Sequence, residues 1–316
     1  MASDKKLTSV LQSSAAEATQ EILSPVTFYP LLSKTGKVFH RWPFGLAVKV
    51  GVLKLLAKVN VWVRTPLLAE DGHYTEIENE GYVVQSHQLG VCVKKKVWQL
   101  KGIILRRYTT DFHAFRQIFF HNELNELINF IGTESISTIL DAGANVGMTA
   151  LKLETVYPGA KMYCIEPDAN NFRTLEANIT YNSLNAIAVQ TAVWSKSAKL
   201  YFDHTFRDGR EWSITVTENN TGSHSIEAVS INDLVRIFNL RQIDLLKMDI
   251  EGSEKEIFEA GEDALSFLAI TKFIAVEVHE EVVKTEYIGS QLSSRGFDLS
   301  KSGEYLIGRN RNLGLQ

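Results

Sequence analysis

The sequence predicts an α/β fold, a mostly parallel sheet with helices on both faces, preceded by a smaller N-terminal α+β appendage. Three observations carry this. From about residue 138 onward, short apolar runs alternate with segments of helical periodicity, the texture of strands joined by crossover helices. The first of those runs leads into a glycine-bearing turn that opens a helix, the usual entrance to a ligand crevice in such sheets. A chain of 316 residues, 45% hydrophobic and 22% charged, can also bury roughly three quarters of its unfolded surface. It therefore needs neither disulfides nor a structural metal, and its balance excludes disordered, collagen-like and coiled-coil classes. The two cysteines, Cys92 and Cys164, show no CxxC or metal-ligand spacing. That usage points to a reducing, cytoplasmic setting.

Along the chain, Met1 to Glu21 is polar and Ser/Ala-rich with no apolar stretch after Lys5 and Lys6, so a signal peptide is not expected. Phe44 to Val63 is mostly apolar but is interrupted by Lys49, Lys54 and Lys58. Three central lysines would cost on the order of 8–10 kcal/mol in a bilayer, which disfavours a span. A buried helix of the appendage is expected there, with an interfacial basic helix resting on lipid as the alternative. Residues 1–110 hold fifteen Lys and Arg against eight Asp and Glu, net +7, and the remainder is net −11. A basic front and an acidic back suit an anionic substrate or a membrane surface near the front; two ordinary surfaces of opposite sign are the plainer reading. The sequons at Asn178 and Asn219 read as incidental.

From Tyr74 to Leu105, Gly81-Tyr-Val-Val, Gly90-Val-Cys-Val and Gly102-Ile-Ile-Leu predict a small antiparallel element, with Lys94–Lys96 guarding a strand edge. Phe112 to Ile131 predicts one helix, capped by Asp111 and stopped by Gly132. The core then reads as a strand at 138–140, a helix over 148–156, a strand over 161–165 and a helix over 170–182. A third strand is expected over 186–193, followed by an antiparallel excursion through 200–202 and 213–216 that ends near Val229. Asn232 is expected to cap a helix to Phe238, ahead of a strand over 243–248, a helix after Ser253 and a strand over 273–278. A last helix and a Phe297/Tyr305 strand pair close the chain. The boundary falls near residue 105, with residues 1–105 as a substrate-facing or oligomerising appendage and 106–316 as the ligand-binding core.

In such a sheet the ligand sits outside the carboxyl ends of the strands. The first strand is followed by Asp141-Ala-Gly-Ala-Asn-Val-Gly147, whose glycines let backbone approach a ligand. Glu166 follows the second strand, nineteen residues beyond Gly147, where a carboxylate can accept the hydroxyl hydrogens of an adenosine ribose. A nicotinamide fingerprint would place G-x-G-x-x-G at the strand end. Here an aspartate is followed by G-x-x-x-G, and a carboxylate repels a diphosphate but welcomes an ammonium or sulfonium. The Asp141 and Glu166 pair therefore suits S-adenosylmethionine better than NAD.

These residues also carry a resemblance. Asp141-Ala-Gly-Ala-Asn-Val-Gly-Met-Thr, Ile165-Glu-Pro-Asp and Asp244-Leu-Leu-Lys-Met-Asp-Ile-Glu-Gly-Ser-Glu254 closely resemble the FkbM family of S-adenosylmethionine-dependent methyltransferases. Thr110-Asp-Phe-His-Ala-Phe and Ile118-Phe-Phe-His-Asn-Glu123 resemble its pre-core helix. Ser230-Ile-Asn-Asp-Leu234 resembles its helix entry, with Asn232 where an acid is more usual. The resemblance covers about residues 105–280 and implies a Rossmann-like class I methyltransferase acting on a hydroxyl of a saccharide or polyketide-like acceptor. It places Asp141, Gly143, Ala144, Asn145 and Gly147 in the cofactor loop, Glu166 on the ribose, and Thr191–Trp194, with Ala192 central, beside the adenine.

The fourth and fifth strands end among Asp249, Glu251, Glu254, Glu277 and His279, a cluster that costs folding energy unless something cationic relieves it. Asp249, His279 and Glu251 are the catalytic candidates. In one reading Asp249 or His279 removes the acceptor's hydroxyl proton. In the other, Asp249, Glu251 and His279 hold a divalent ion; the metal-free reading is preferred. Glu254 reads as a helix-start carboxylate and Lys247 as an ion-pair partner. His113 and His121 lack metal spacing, and Trp42, Trp62 and Trp98 read as packing aromatics ahead of sugar-stacking ones. The expected partner is a small-molecule or glycan acceptor; a homo-oligomer is open. Nucleic acid is disfavoured by the acidic core and by Asp249-Ile-Glu-Gly where a base-flipping enzyme carries Asn-Pro-Pro-Tyr. The rivals are a degenerate methyltransferase acting as a scaffold, and a nicotinamide-dependent oxidoreductase.

Overall fold

The computed structural model describes residues 36–58, 65–203, 215–220 and 224–313. The expectations for Met1–Glu21, for residues 59–63, for Trp62 and for Ser213 lie outside the described residues.

Three helices open the described chain: α1 (Gly36–Arg41), α2 (Phe44–Lys58) and α3 (Pro66–Asn79). Thr65 caps α3 by accepting from the Leu68 amide at 3.3 Å, and Pro66 sits where no intrahelical donor is required. Asp71 of α3 is fully buried and gathers the other two helices. It accepts from Arg41 Nη1 at 3.2 Å and from Trp42 Nε1 at 2.9 Å, and it pairs with Lys54. Trp42 is thus a packing residue with its polar tip satisfied. The helix runs through Tyr74, so the strand region expected from that residue begins only at β1 (Val83–His87). With β2 (Gly90–Lys94) and β3 (Ile103–Arg106) it forms an antiparallel meander in the order β1-β2-β3. Lys94 therefore ends a central strand, not an edge.

The single helix expected over 112–131 is broken. A short α4 (Asp111–Phe115) continues as a π-turn over Arg116–Phe120. The chain then turns at Asn122 (φ +55°) and resumes as α5 (Asn125–Ile131), ended by Gly132. The wider π-turn puts Phe115 and Phe120, five residues apart, both against Tyr82, with ring centroids at 5.4 and 5.6 Å. Nor is Asp111 a cap: its carboxylate accepts from the Arg106 amide at 2.8 Å and from Arg106 Nη2 at 2.6 Å.

The core follows as β4 (Thr138–Ala142), α6 (Met148–Val156), β5 (Lys161–Ile165), α7 (Ala169–Asn182) and β6 (Ala186–Val189). Next come β7 (Ala192–Val193), β8 (Ala198–Asp203), β9 (Thr215–Thr217), β10 (Ser225–Val229) and α8 (Ile231–Ile237). The chain closes with β11 (Ile243–Met248), α9 (Glu254–Phe258), β12 (Thr271–Glu277), α10 (Thr285–Ser294), β13 (Phe297–Ser302) and β14 (Tyr305–Asn310). Seven strands form one sheet in the order β13-β14-β12-β11-β4-β5-β6, parallel from β12 to β6 and antiparallel at β14 and β13. Its strands are apolar on both faces, as a sheet covered twice requires. Ile139, Leu245 and Phe273 serve one core, and Leu140, Leu246 and Ile274 the other. Strand order reverses between β4 and β11, so the crevice for a ligand opens there. The third strand is not continuous: β7 leaves the main sheet to pair with β10, and β8 and β9 complete a separate four-stranded sheet. The cap of α8 is Ser230, in a reciprocal capping box with Asp233; Asn232 instead donates to the carbonyls of Asp263 and Ala264.

The meander is tied to the core by two carboxamides of α7. Asn178 accepts from the Ile104 amide at 2.8 Å and donates to the carbonyls of Ile104 (3.1 Å) and Val146 (2.9 Å). Asn182 accepts from the Lys101 amide (2.9 Å) and donates to the Gly102 carbonyl (2.8 Å). The free edge of β3 is thus paired by side chains, and the sequon at Asn178 is buried. Among the described residues no helix is long and apolar enough to cross a membrane.

Candidate active site

The loop between β4 and α6 is shaped by contacts within the protein. Gly143 has φ +81°, and a Cβ there would lie 1.6 Å from the Asp249 carbonyl oxygen. A Cβ at Gly147 would meet Leu175 Cδ1 at 2.9 Å. Both glycines are needed first because β4's loop passes hard against β11's loop and against α7. Asn145 adopts the left-handed conformation (φ +48°), which Asn tolerates better than most residues. That turn directs its amide to Glu166 Oε2 at 2.8 Å.

Glu166 ends β5 and holds the loop together from below. Its Oε1 accepts from the Asp168 amide (3.0 Å) and from Asn171 Nδ2 (3.3 Å). Burial pushes its carboxyl up to about 7 despite these donors. A carboxylate offers about four lone-pair positions, so after the three donors found here one position remains on Oε2, and Glu166 is among the residues lining the crevice. That crevice, about 610 Å³, is lined by Gly143, Asn145, Glu166, Ala192 and Asp249, with Thr191 and Val193 alongside and Val216 reaching in from the second sheet. Trp194, expected at the same wall, instead donates Nε1 to Glu218 Oε1 at 3.0 Å.

A second, larger cavity of about 1150 Å³ lies on the other side of the loop and shares Gly143, Asn145, Asp249 and Glu251 with the first. Glu123, Glu277, Glu304 and Tyr305 supply much of its polar wall. Burial and the Asp249 charge hold Glu277 well above the usual carboxylate range, and burial, Glu304 and Asp249 raise Glu123.

Beneath both cavities sits Lys247. It occurs in a strand whose six residues are all buried, and it stands directly opposite Asp141 in the β4–β11 register. Its Nζ lies 3.1 Å from Asp249 Oδ2 and 3.4 Å from Asp141 Oδ1, and donates to the Gly143 carbonyl at 2.9 Å. Burial opposes its charge, but Asp249, Asp141 and Glu277 outweigh that and raise its pKa. Asp141, expected to face the cofactor's cation, is 1% exposed and meets Lys247 instead. Of the acids at the ends of β11 and β12, Asp249 and Glu251 reach the crevice, opposite Glu166 and Asp168.

His279 is equally enclosed. Its Nδ1 lies 3.3 Å from Glu254 Oε2 and its Nε2 3.4 Å from Glu251 Oε2. Burial pulls its pKa down, but the hydrogen bonds and charges of Glu251 and Glu254 prevail and push it up to about 11. It lines neither cavity. As an imidazolium at neutral pH it is in the wrong protonation state for the general base that the sequence offered as one candidate. Glu254 accepts from the Ile250 and Gly252 amides, both at 2.8 Å. It fixes the 249–254 turn, in which Glu251 is held at φ +52°. Among the described residues, Asp249, Glu277 and His279 are the trio whose ligand atoms approach within 4.8 Å of one another, so Glu277 replaces Glu251 in the set expected for a divalent ion. Lys247, with Nζ 3.1 Å from Asp249 Oδ2, already supplies a positive charge at one member of that set.

The sequence places Lys247 as an ion-pair partner and Glu277 among the strand-end acids, and gives Glu123, Glu304 and Tyr305 no part in the site. A lysine inside a strand that is otherwise apolar apart from Asp244 is the one local signal; Glu304 and Tyr305 come from the β13–β14 hairpin and carry none.

A family model described as the methyltransferase FkbM domain matches residues 141–299, just over half of the chain. Curated relatives include methyltransferase sdnD of Sordaria araneosa, 26% identical over 197 residues, covering 52% of this chain and 74% of that protein. The 2-O-methyltransferase NoeI of Sinorhizobium fredii is 24% identical over 159 residues (45% and 63%). The hexuronic acid methyltransferase AglP of Haloferax volcanii is 25% identical over 183 residues (57% and 73%).

Proposed function

The chain belongs to the FkbM methyltransferase family, and on that premise we propose that it is an S-adenosylmethionine-dependent O-methyltransferase acting on a hydroxyl of a saccharide or polyketide-like acceptor. The observation that carries this reading is the wall shared by the two cavities: Asp249 reaches both, so a nucleoside-containing donor on one side and an acceptor on the other meet at one carboxylate. When bound, S-adenosylmethionine supplies an electrophilic methyl group on a sulfonium.

The residues fit that cofactor. Glu166 offers its remaining acceptor position to a ribose hydroxyl, Thr191, Ala192 and Val193 form a flat, largely apolar wall for an adenine, and the carboxylates of Asp249 and Glu251 favour a cationic centre. Gly143, Ala144, Asn145 and Gly147 shape the loop that carries these contacts, and Asp141 acts through Lys247. Lys247 holds Asp249 Oδ2, which assigns Oδ1 to the acceptor's hydroxyl proton. An alcohol needs that help, worth typically 10²–10⁴-fold, while alignment supplies the rest. Glu251 lines the donor side, and His279 is a positioning residue that clamps it to Glu254. The saccharide reading is favoured by the carboxylate-rich second cavity, since Glu123, Glu277 and Glu304 suit the hydroxyl donors of a sugar. Two matched relatives are named for 2-O-methylation and for a hexuronic acid.

The test is calorimetric titration with S-adenosylhomocysteine, with NAD as the control, followed by a glycan acceptor screen. Binding near −8 kcal/mol, micromolar, with no response to NAD is expected. An Asp249→Asn variant should bind within a few-fold yet lose methyl transfer by about 10²–10⁴-fold. No binding of S-adenosylhomocysteine refutes the cofactor, and retained transfer in the variant refutes the catalytic assignment.

A further inference from the structure

Helix α2 is turned inside out relative to a surface helix. Phe44, Val48, Val52, Leu55 and Leu56 recur at helical spacing on its outer face, and Phe44, Leu55 and Val52 are 78%, 65% and 52% exposed. Phe39 of α1 extends the patch, with its ring centroid 5.9 Å from that of Phe44. A helix apolar on all sides belongs in a buried setting, and a contiguous patch of this kind marks an interaction surface. The opposite side is already engaged: Ala47 and Val50 are buried, and Lys54 pairs with Asp71.

The charge pattern selects the occupant. Residues 22–69 contain seven Lys and Arg and no Asp or Glu; Lys37, Arg41 and Lys54 are paired with Asp71 or Glu78 of α3, while Lys49 stands exposed beside the apolar face. A second copy would set one cationic stretch against another, whereas an anionic lipid surface complements it. Its fifteen described residues, Phe44–Lys58, are too few to cross a bilayer and suit a helix lying in the interface with its side chains among the acyl chains. We propose that the outer face of α2 docks this protein on anionic membranes, bringing the methyltransferase core to a lipid surface. The inference does not depend on the acceptor or the catalytic residues.

The test is co-sedimentation of the full chain with phosphatidylcholine vesicles, with and without phosphatidylserine. Binding to the phosphatidylserine vesicles, weakened by salt, is expected. Val52→Asp with Leu55→Asp should lower the bound fraction by at least about tenfold, and Lys49→Glu should lower it with the melting temperature unchanged. An environment-sensitive fluorophore at Val52→Cys, selective because Cys92 and Cys164 are buried, should shift to the blue only when vesicles are added. No vesicle binding by the folded wild type overturns the proposal. So does a dimer that Leu55→Asp dissociates, which gives the face to a second copy, or a blue-shifted monomer before vesicles, which gives it to the chain itself.

Discussion

The close passage of the β4 and β11 loops can be measured by adding one carbon. In Gly143→Ala the new Cβ would sit 1.6 Å from the Asp249 carbonyl oxygen, so that oxygen must move by about 2 Å to regain an ordinary contact beyond 3.4 Å. The move strains the Asp249 amide bond to the Ala142 carbonyl (3.0 Å) and the Lys247 bond to the Gly143 carbonyl (2.9 Å). Buried groups deprived of partners cost about 1–3 kcal/mol each, and the left-handed backbone adds ~1–2 kcal/mol for any residue with a Cβ. Gly159 supplies the control, because its φ of +79° is nearly the same while a Cβ there meets nothing within 4 Å. Gly159→Ala should therefore lose only the conformational part. Gly143→Ala should lose about 4–6 kcal/mol, roughly 6–9 °C in melting temperature for a chain of this size. Thermal melts followed by circular dichroism compare the two, and titration with S-adenosylhomocysteine should show affinity retained in Gly159→Ala and lost in Gly143→Ala. If the two variants melt within about 2 °C of one another, the loops are not packed as described and the reasoning fails.

Three further outcomes follow from the same geometry. Lys247→Met leaves Asp141 and Asp249 facing each other without a cation and should cost about 3–5 kcal/mol in urea denaturation at neutral pH; adding Asp141→Asn should restore part of it, and strict additivity would contradict the shared ion pair. Glu166→Ala removes the acceptor for the Asn145 and Asp168 amides, so it should lower stability by about 1–3 kcal/mol as well as weaken S-adenosylhomocysteine binding; unchanged affinity would remove the ribose role. His279 keeps its proton in the folded chain to about pH 11, against 6.5 when free. Its contribution is complete below pH 6.5 and is lost as pH rises toward 11. Glu277, also raised, works in the same direction from a lower starting pH. Melting temperature should fall on the alkaline side, with a shallower slope in His279→Gln; an equal slope would show that His279 is not held as an imidazolium.

The parallel core was legible because its signals are local. Ile243–Met248 is apolar but for Asp244 and Lys247, α7 is helically periodic, and the turn after β4 carries its glycines in sequence. What the sequence obscured depends on partners far along the chain. Phe112–Ile131 has the periodicity of one helix, yet Tyr82 draws Phe115 and Phe120 into a π-turn. Ala186–Val193 reads as one strand, yet the last two residues pair with β10. A further reason for Gly143 is hidden by the same cause: the group nearest its missing Cβ is the carbonyl of Asp249, 106 positions on. Asp141, Lys247 and Asp249 could each be noticed, but only the register between β4 and β11 shows that they form one charge network. The walls of the second cavity were the least legible, because Glu123 and Glu304 approach Asp249 from outside the motif-bearing core.

Asn178 gives the molecule a coupling that neither cavity reveals. One carboxamide holds the backbone of Ile104 and the carbonyl of Val146, so a strand seventy-four positions upstream and the cofactor loop answer to the same side chain. Donor affinity becomes a remote gauge of how firmly the meander is docked. Asn178→Ala, which touches no crevice residue, should weaken S-adenosylhomocysteine binding; unaltered binding would show the two ends to be uncoupled. On the proposed reading, a change in how the meander docks is felt at the methyl-donor site, although no described residue before Gly143 lines that crevice.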